Sequence, residues 1–139
     1  MDWKLLPPDL QELAEHHTHL CPGVLIGYKA CKYAVDIIGL SENMLVIADR
    51  ESCGNDAVRF LLKCDSEAGS FICRNGNGFS WSFYNKDEEE GVTLTLNANV
   101  MKQVSGDREQ AMLWLLNVPA DVLFTVQPFI PEENGSTGE

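Results

Sequence analysis

Apolar residues along the first third of the chain recur at helical spacing. Val24, Tyr28, Cys31, Val35 and Ile38 fall on one stripe, Pro22 suits a first helical turn, and Gly39 supplies a stop. The pattern predicts a helix opening near Pro22 and ending at Gly39. Cys31 lies on the stripe and reads as a small buried hydrophobe. Upstream, Pro7-Pro8 followed by Asp9 and Glu12 marks another helix start. That helix runs into His16 and His17 and must stop near Cys21, because the residue before a proline is pushed out of the α region.

The pattern then changes. Met44-Leu45-Val46-Ile47-Ala48-Asp49 is a short apolar run and reads as a buried strand. Gly54-Asn55-Asp56 opens a helix carrying Ala57, Val58, Phe60, Leu61 and Leu62. Residues 70–74 and 79–84 flank Asn75-Gly76-Asn77-Gly78, which predicts a hairpin, and Cys73 is expected in the core. Residues 91–97 alternate like the third strand of a meander. Residues 107–117 read as a capped amphipathic helix closed by Val118-Pro119, and 122–126 as a last strand. Helices first and mostly antiparallel strands after them, with helices packed on the sheet, predict an α+β fold. The expected organisation is one domain over residues 1–130 and a disordered acidic tail over 131–139.

Composition narrows the function. The 139 residues carry a formal net charge of −11, much of it in Asp87-Glu88-Glu89-Glu90 and in Glu132, Glu133 and Glu139. Nucleic acid and anionic membranes call for clustered Lys and Arg, so neither is an expected partner. No apolar run approaches bilayer length, and the N-terminus lacks the apolar stretch of a signal peptide. Five cysteines, none in a Cys-x-x-Cys pair, point to reduced thiols in a cytoplasm. A homodimer is expected from an apolar helix and spare strand edges.

All three histidines, His16, His17 and His19, lie within four residues, with Cys21 next. Imidazole and thiolate are the side-chain ligands that zinc and other divalent transition metals favour. The competing reading is a helix end that is merely His-rich. In a continuous helix His17 and Cys21 share a face; in an extended segment His17, His19 and Cys21 do. His16 is out of phase with both. Cys21 precedes a helix, where free amides favour a thiolate, although it could also serve only as an N-cap. Glu51-Ser52-Cys53-Gly54-Asn55-Asp56 forms a second such junction, where Asp56 could equally be a first-turn acid that only complements the dipole. Two chemistries follow. One is a metal site built on His17, Cys21 and Cys53, with His19 or Cys64 nearby. The other is a thiol enzyme or redox protein with Cys21 or Cys53 as nucleophile, His17 or His19 as base and Asp56 as orienting acid.

The run His17-Thr18-His19-Leu20-Cys21-Pro22-Gly23, continuing through Gly27-Tyr28-Lys29-Ala30, resembles the His-x-His-x-Cys-Pro-Gly signature of the FmdE family, named for a component of formylmethanofuran dehydrogenase. Glu51-x-Cys53-x-x-Asp56-Ala57, then Cys64 after the short helix, and Phe83-Tyr84-Asn85 resemble later family blocks. The resemblance covers roughly residues 10 to 100. It implies a thioredoxin-like core with a mixed sheet flanked by helices, and a His/Cys site able to hold zinc in some members. It also implies a place beside molybdenum or tungsten oxidoreductase subunits, where the protein would be an accessory or purely interacting component. The chain departs from the family at Asp65-Ser66-Glu67-Ala68-Gly69-Ser70, acidic where relatives have a glycine-rich loop with a lysine. It also lacks the C-terminal treble-clef zinc finger of many members, and so resembles the short, core-only ones.

Overall fold

A computed structural model describes residues 7–17, 21–65, 67, 69–76, 78–104 and 106–131; the side chains of residues 16, 17 and 101 fall outside the description. The tail expected over 131–139 lies, beyond Pro131, outside the described residues. Helix α1 (Pro8–His17) leads into α2 (Pro22–Ile38), strand β1 (Met44–Ala48), helix α3 (Cys53–Leu62) and strands β2 (Phe71–Cys73), β3 (Ser80–Asn85) and β4 (Glu90–Leu96). Helices α4 (Ala98–Val104), α5 (Arg108–Asn117) and α6 (Ala120–Leu123) precede strand β5 (Phe124–Pro128).

The five strands form one sheet in the order β2-β1-β3-β4-β5. β1 and β2 run parallel, and the other pairs are antiparallel. Parallel neighbours need a crossover, and α3 supplies it. The β1-α3-β2 unit followed by antiparallel β3 and β4 is the thioredoxin-like arrangement. Period-two alternation sends Val46, Trp81, Phe83, Val92 and Leu94 to the face where α2 packs, each at most 2% exposed. Because α2 is wedged between the sheet, α3 and α5, it is apolar on more than one stripe, with Leu25, Ile26 and Ala30 buried beside Val24 and Cys31.

The sequence expectations hold for α2, β1, α3, β4 and α5. Gly39 stops α2 at φ 81°, and the Asp107 carboxylate caps α5 by accepting from the Glu109 and Gln110 amides. The hairpin expected across residues 70–84 does not form. β2 and β3 both pair with β1, which lies between them. β1 is apolar along its whole length and takes the sheet interior, so the connection must cross its C-terminal end. The Asp49 carboxylate accepts from the Gly78 amide at 2.7 Å, and the Asp49 carbonyl accepts from the Gly76 amide at 2.7 Å. A Cβ on Gly76 would lie 2.4 Å from that carboxylate, so these glycines serve close approach and not hairpin twist. Helices α4 and α6 have no counterpart in the sequence pattern, and the last strand is displaced to Phe124–Pro128. Asn97 fixes that register by donating to the Val122 carbonyl at 2.8 Å and accepting from the Thr125 hydroxyl at 2.5 Å.

Helix α1 is anchored by Leu10 and Leu13, both fully buried, and by a polar clamp to α2. Asp9 accepts from the Tyr28 hydroxyl at 3.0 Å and from the Lys32 ammonium at 2.9 Å. Burial alone would raise the Asp9 pKa, but the hydrogen bonds from Lys32 and Tyr28 outweigh it and hold the carboxyl below its ordinary 3.8. A depressed folded-state pKa stabilises the protein above the unfolded value and is lost as pH falls through the folded one. Asp9→Asn is therefore expected to destabilise by under about 1 kcal/mol at neutral pH, since the pair is part-exposed. That gap should close as pH drops below 3.8. Urea melts of both proteins at neutral pH and at about pH 3 check this; a gap unchanged by pH would contradict it.

Candidate functional site

Three glycines build the site. Gly23 and Gly27 lie four residues apart on one face of α2, and that face meets α3. A Cβ on Gly27 would fall 2.3 Å from the Gly54 carbonyl oxygen, so the helices cross backbone against backbone. Gly54 is pressed from its other side by the Trp81 ring, 2.7 Å from where a Cβ would stand. At Gly23 a Cβ would meet the Cys53 Cβ at 3.3 Å and the Cys21 sulfur at 4.0 Å. Close crossing near both N-termini draws the first turns of α2 and α3 together. Cys21 is the N-cap of α2 in extended conformation, φ −138° and ψ 165°, with no side-chain cap bond, and Cys53 is the first residue of α3. Cys21 is half-buried, Cys53 is exposed, and the two thiols are close enough for Cys21 to act on the titration of Cys53.

Electrostatics at this junction differ from the sequence expectation. A helix N-terminus ordinarily favours a thiolate, yet the Cys53 pKa is pushed up. Desolvation against α2 is the largest cause, followed by the neighbouring Cys21 thiol and the Asp56 carboxylate. Without a bound cation Cys53 is therefore held as a thiol. Asp56 sits in the first turn of α3, placed to act on Cys53 through its charge. Beside it the Ser52 hydroxyl is buried, does not cap α3, and has no hydrogen-bond partner among the described residues.

On the sheet side of the same junction Asn55, 2% exposed, organises a third thiol. It accepts from the Trp81 indole N–H at 2.9 Å and donates to the Arg50 carbonyl at 3.0 Å. It also reaches the Cys73 sulfur at 3.7 Å. Cys73 is half-buried, not fully in the core as expected, and donates to the Arg74 carbonyl at 3.6 Å. Desolvation and the Glu51 carboxylate hold its pKa up.

The structure thus places Cys21, Cys53 and Asp56 at one helix junction, with Asp56 acting on Cys53 through its charge. It does not bring Cys64 to them. Cys64 follows the opposite end of α3, about 15 Å along a ten-residue helix. It is buried near the Met44 and Leu62 carbonyls at 3.9 Å each, and desolvation raises its pKa. Its nearest thiol is Cys31, 1% exposed and strongly raised by its own burial and by Cys64. His17 ends α1 four positions before Cys21; its side chain and all of His19 lie outside the described residues. Among the described residues no three His, Cys, Asp or Glu side chains converge as a metal cluster. The donor chemistry nevertheless fits zinc in part: two neighbouring thiols are half of a tetrahedral sulfur/imidazole set. Sequence reasoning does not reach the site-forming roles of Gly23, Gly27, Gly54 and the Glu51–Cys73 pair. The Gly-x-x-x-Gly spacing is the signal that could have found the first two.

Fold and site together define a thioredoxin-like α+β domain with a thiol pair where two helix N-termini converge. The chain belongs to the FmdE family, described as "FmdE, Molybdenum formylmethanofuran dehydrogenase operon", which matches residues 16–125. Its fold is similar to the crystal structure of a tungsten formylmethanofuran dehydrogenase FmdE-like protein from Syntrophus aciditrophicus. That likeness has a TM-score of 0.66 at 20% identity, over 94% of this chain and 74% of the other. No curated protein matches the chain. No helix among the described residues is long and apolar enough to cross a membrane.

Proposed function

We propose that this FmdE protein is a cytoplasmic accessory protein that binds zinc or a similar divalent metal for a molybdenum- or tungsten-dependent oxidoreductase. The observation that carries the reading is the juxtaposition of Cys21 and Cys53, residues far apart in sequence, on a crossing that tolerates only glycine. His17 and His19 come from the segment leading to Cys21 and complete the ligand set. A bound ion would supply Lewis acidity and turn both thiols into thiolates. The protein's own part is positional. Gly27 against Gly54 sets the sulfur spacing, and Asp56 adds negative charge that favours a cation. The family's description by a formylmethanofuran dehydrogenase operon supports the oxidoreductase partner. Exposed Ile72 and Ile130, 43% and 80% accessible, leave apolar surface for docking or for a homodimer.

Purified anaerobically, the protein is expected to carry about one zinc-like ion per chain. A Cys21→Ala/Cys53→Ala double variant should carry none. Metal analysis showing no uptake by wild type, or undiminished uptake by the double variant, would sink the reading.

A further inference from the structure

We propose that Cys21 and Cys53 are a redox-active dithiol that closes to an intramolecular disulfide, releasing the bound metal as it does so. The release half rests on the metal reading above; the disulfide half stands on geometry alone. In dithiol oxidoreductases built on a β-α-β unit, a Cys-x-x-Cys motif marks the redox site. Here Cys53 begins the helix of that unit, but the residue three positions on is Asp56. The second thiol arrives instead from the neighbouring helix, as Cys21 at the start of α2. Gly23 lies beside both residues, since a Cβ there would press on the Cys53 Cβ and meet the Cys21 sulfur only in ordinary contact. The two thiols are neighbours across Gly23, whose Cβ position lies 3.3 Å from the Cys53 Cβ and 4.0 Å from the Cys21 sulfur, and side-chain rotations would bring the sulfurs to the disulfide length of about 2.05 Å. Neither side chain is spent on capping its own backbone, since Cys21 makes no cap bond and the cap position of α3 belongs to Ser52.

The chemistry balances with a small-molecule disulfide such as oxidised glutathione as oxidant. Cys53 is the exposed member and attacks first as the thiolate the metal has stabilised, breaking the oxidant's S–S bond and expelling one small thiolate that takes a proton from solvent. The Cys21 thiolate then attacks the Cys53 sulfur of the mixed disulfide and expels the second small thiolate, which takes a proton from solvent. Two protein thiols are oxidised by two electrons, and the oxidant is reduced to two thiols. Both metal-binding sulfurs are consumed, so one ion leaves per disulfide formed.

The test uses the full chain, loaded with zinc and held anaerobically, titrated with oxidised glutathione. Mass spectrometry, thiol alkylation and a chromophoric zinc chelator are read together. Wild type should lose about 2 Da, the two thiol hydrogens, and drop from five alkylatable cysteines to three. Peptide mapping should join Cys21 to Cys53, and one zinc should be released per disulfide. Cys21→Ser should stop at a glutathione adduct on Cys53. A wild-type protein that holds zinc but ends as a stable adduct, or whose disulfide joins another pair such as Cys31 and Cys64, overturns the proposal and leaves the metal reading intact. A Cys21–Cys53 disulfide forming in a protein that never held zinc removes the metal reading and the release step, while the dithiol stands.

Discussion

Gly27→Ala is expected to lower the thermal midpoint by roughly 5–10 °C. The new Cβ would sit 2.3 Å from the Gly54 carbonyl oxygen and 2.6 Å from its Cα, both backbone atoms that cannot rotate away. The helices must separate, and overpacking of this kind costs about 1–3 kcal/mol or more. Alanine returns at most about 1 kcal/mol of helix propensity. The separation also pulls Cys21 from Cys53, so zinc affinity should fall although neither cysteine has been touched. Gly23→Ala is the comparison: its Cβ meets the Cys53 side chain at 3.3 Å, where small shifts suffice. Thermal melts showing Gly27→Ala as stable as wild type would mean that the helix crossing does not hold the site together.

The second large effect separates the cysteines. Cys21→Ala or Cys53→Ala should each weaken zinc binding by at least about 100-fold, because even outer-shell partners are worth about 10–100-fold. His17→Ala should do the same. Cys64→Ala should leave zinc affinity unchanged, since Cys64 lies buried beyond the far end of α3. Its cost should appear as a lower melting temperature from a vacated core position. Competition titrations against a chromophoric chelator read all four variants. A Cys64→Ala protein that loses zinc as strongly as Cys53→Ala would place the metal elsewhere.

Much of the fold is legible in local pattern because local pattern is what decides it. The stripe on α2, the apolar run of β1 and the Asp107 cap of α5 each bury or satisfy groups within one segment. The failed hairpin shows the limit. Asn75-Gly76-Asn77-Gly78 has hairpin residues, but nothing between 70 and 84 reveals that β1 will insert between the flanking strands. Helix α4 leaves little trace in the pattern because only one of its described side chains, Val100, is buried, too few to show a period. In the site, the importance of Cys21 and Cys53 is readable from residue type and helix-start position. Their meeting is not, since it depends on Gly27 facing Gly54 across two helices. The same limit applies to Cys64: the resemblance groups it with the site, while the length of α3 carries it away. At Cys53 the thiol pKa is raised for non-local reasons, because burial, the Cys21 thiol and Asp56 oppose the helix terminus.

X-ray absorption at the zinc edge of the anaerobically loaded protein reads the ligands of the ion itself. A four-coordinate shell is expected, with two sulfurs at about 2.3 Å and imidazole nitrogen at about 2.0–2.1 Å. The sulfur signal should fall by half in Cys21→Ala and be unaffected in Cys64→Ala. A shell containing no sulfur, or one whose sulfur count survives the loss of Cys21, would contradict a metal site built on the Cys21–Cys53 pair.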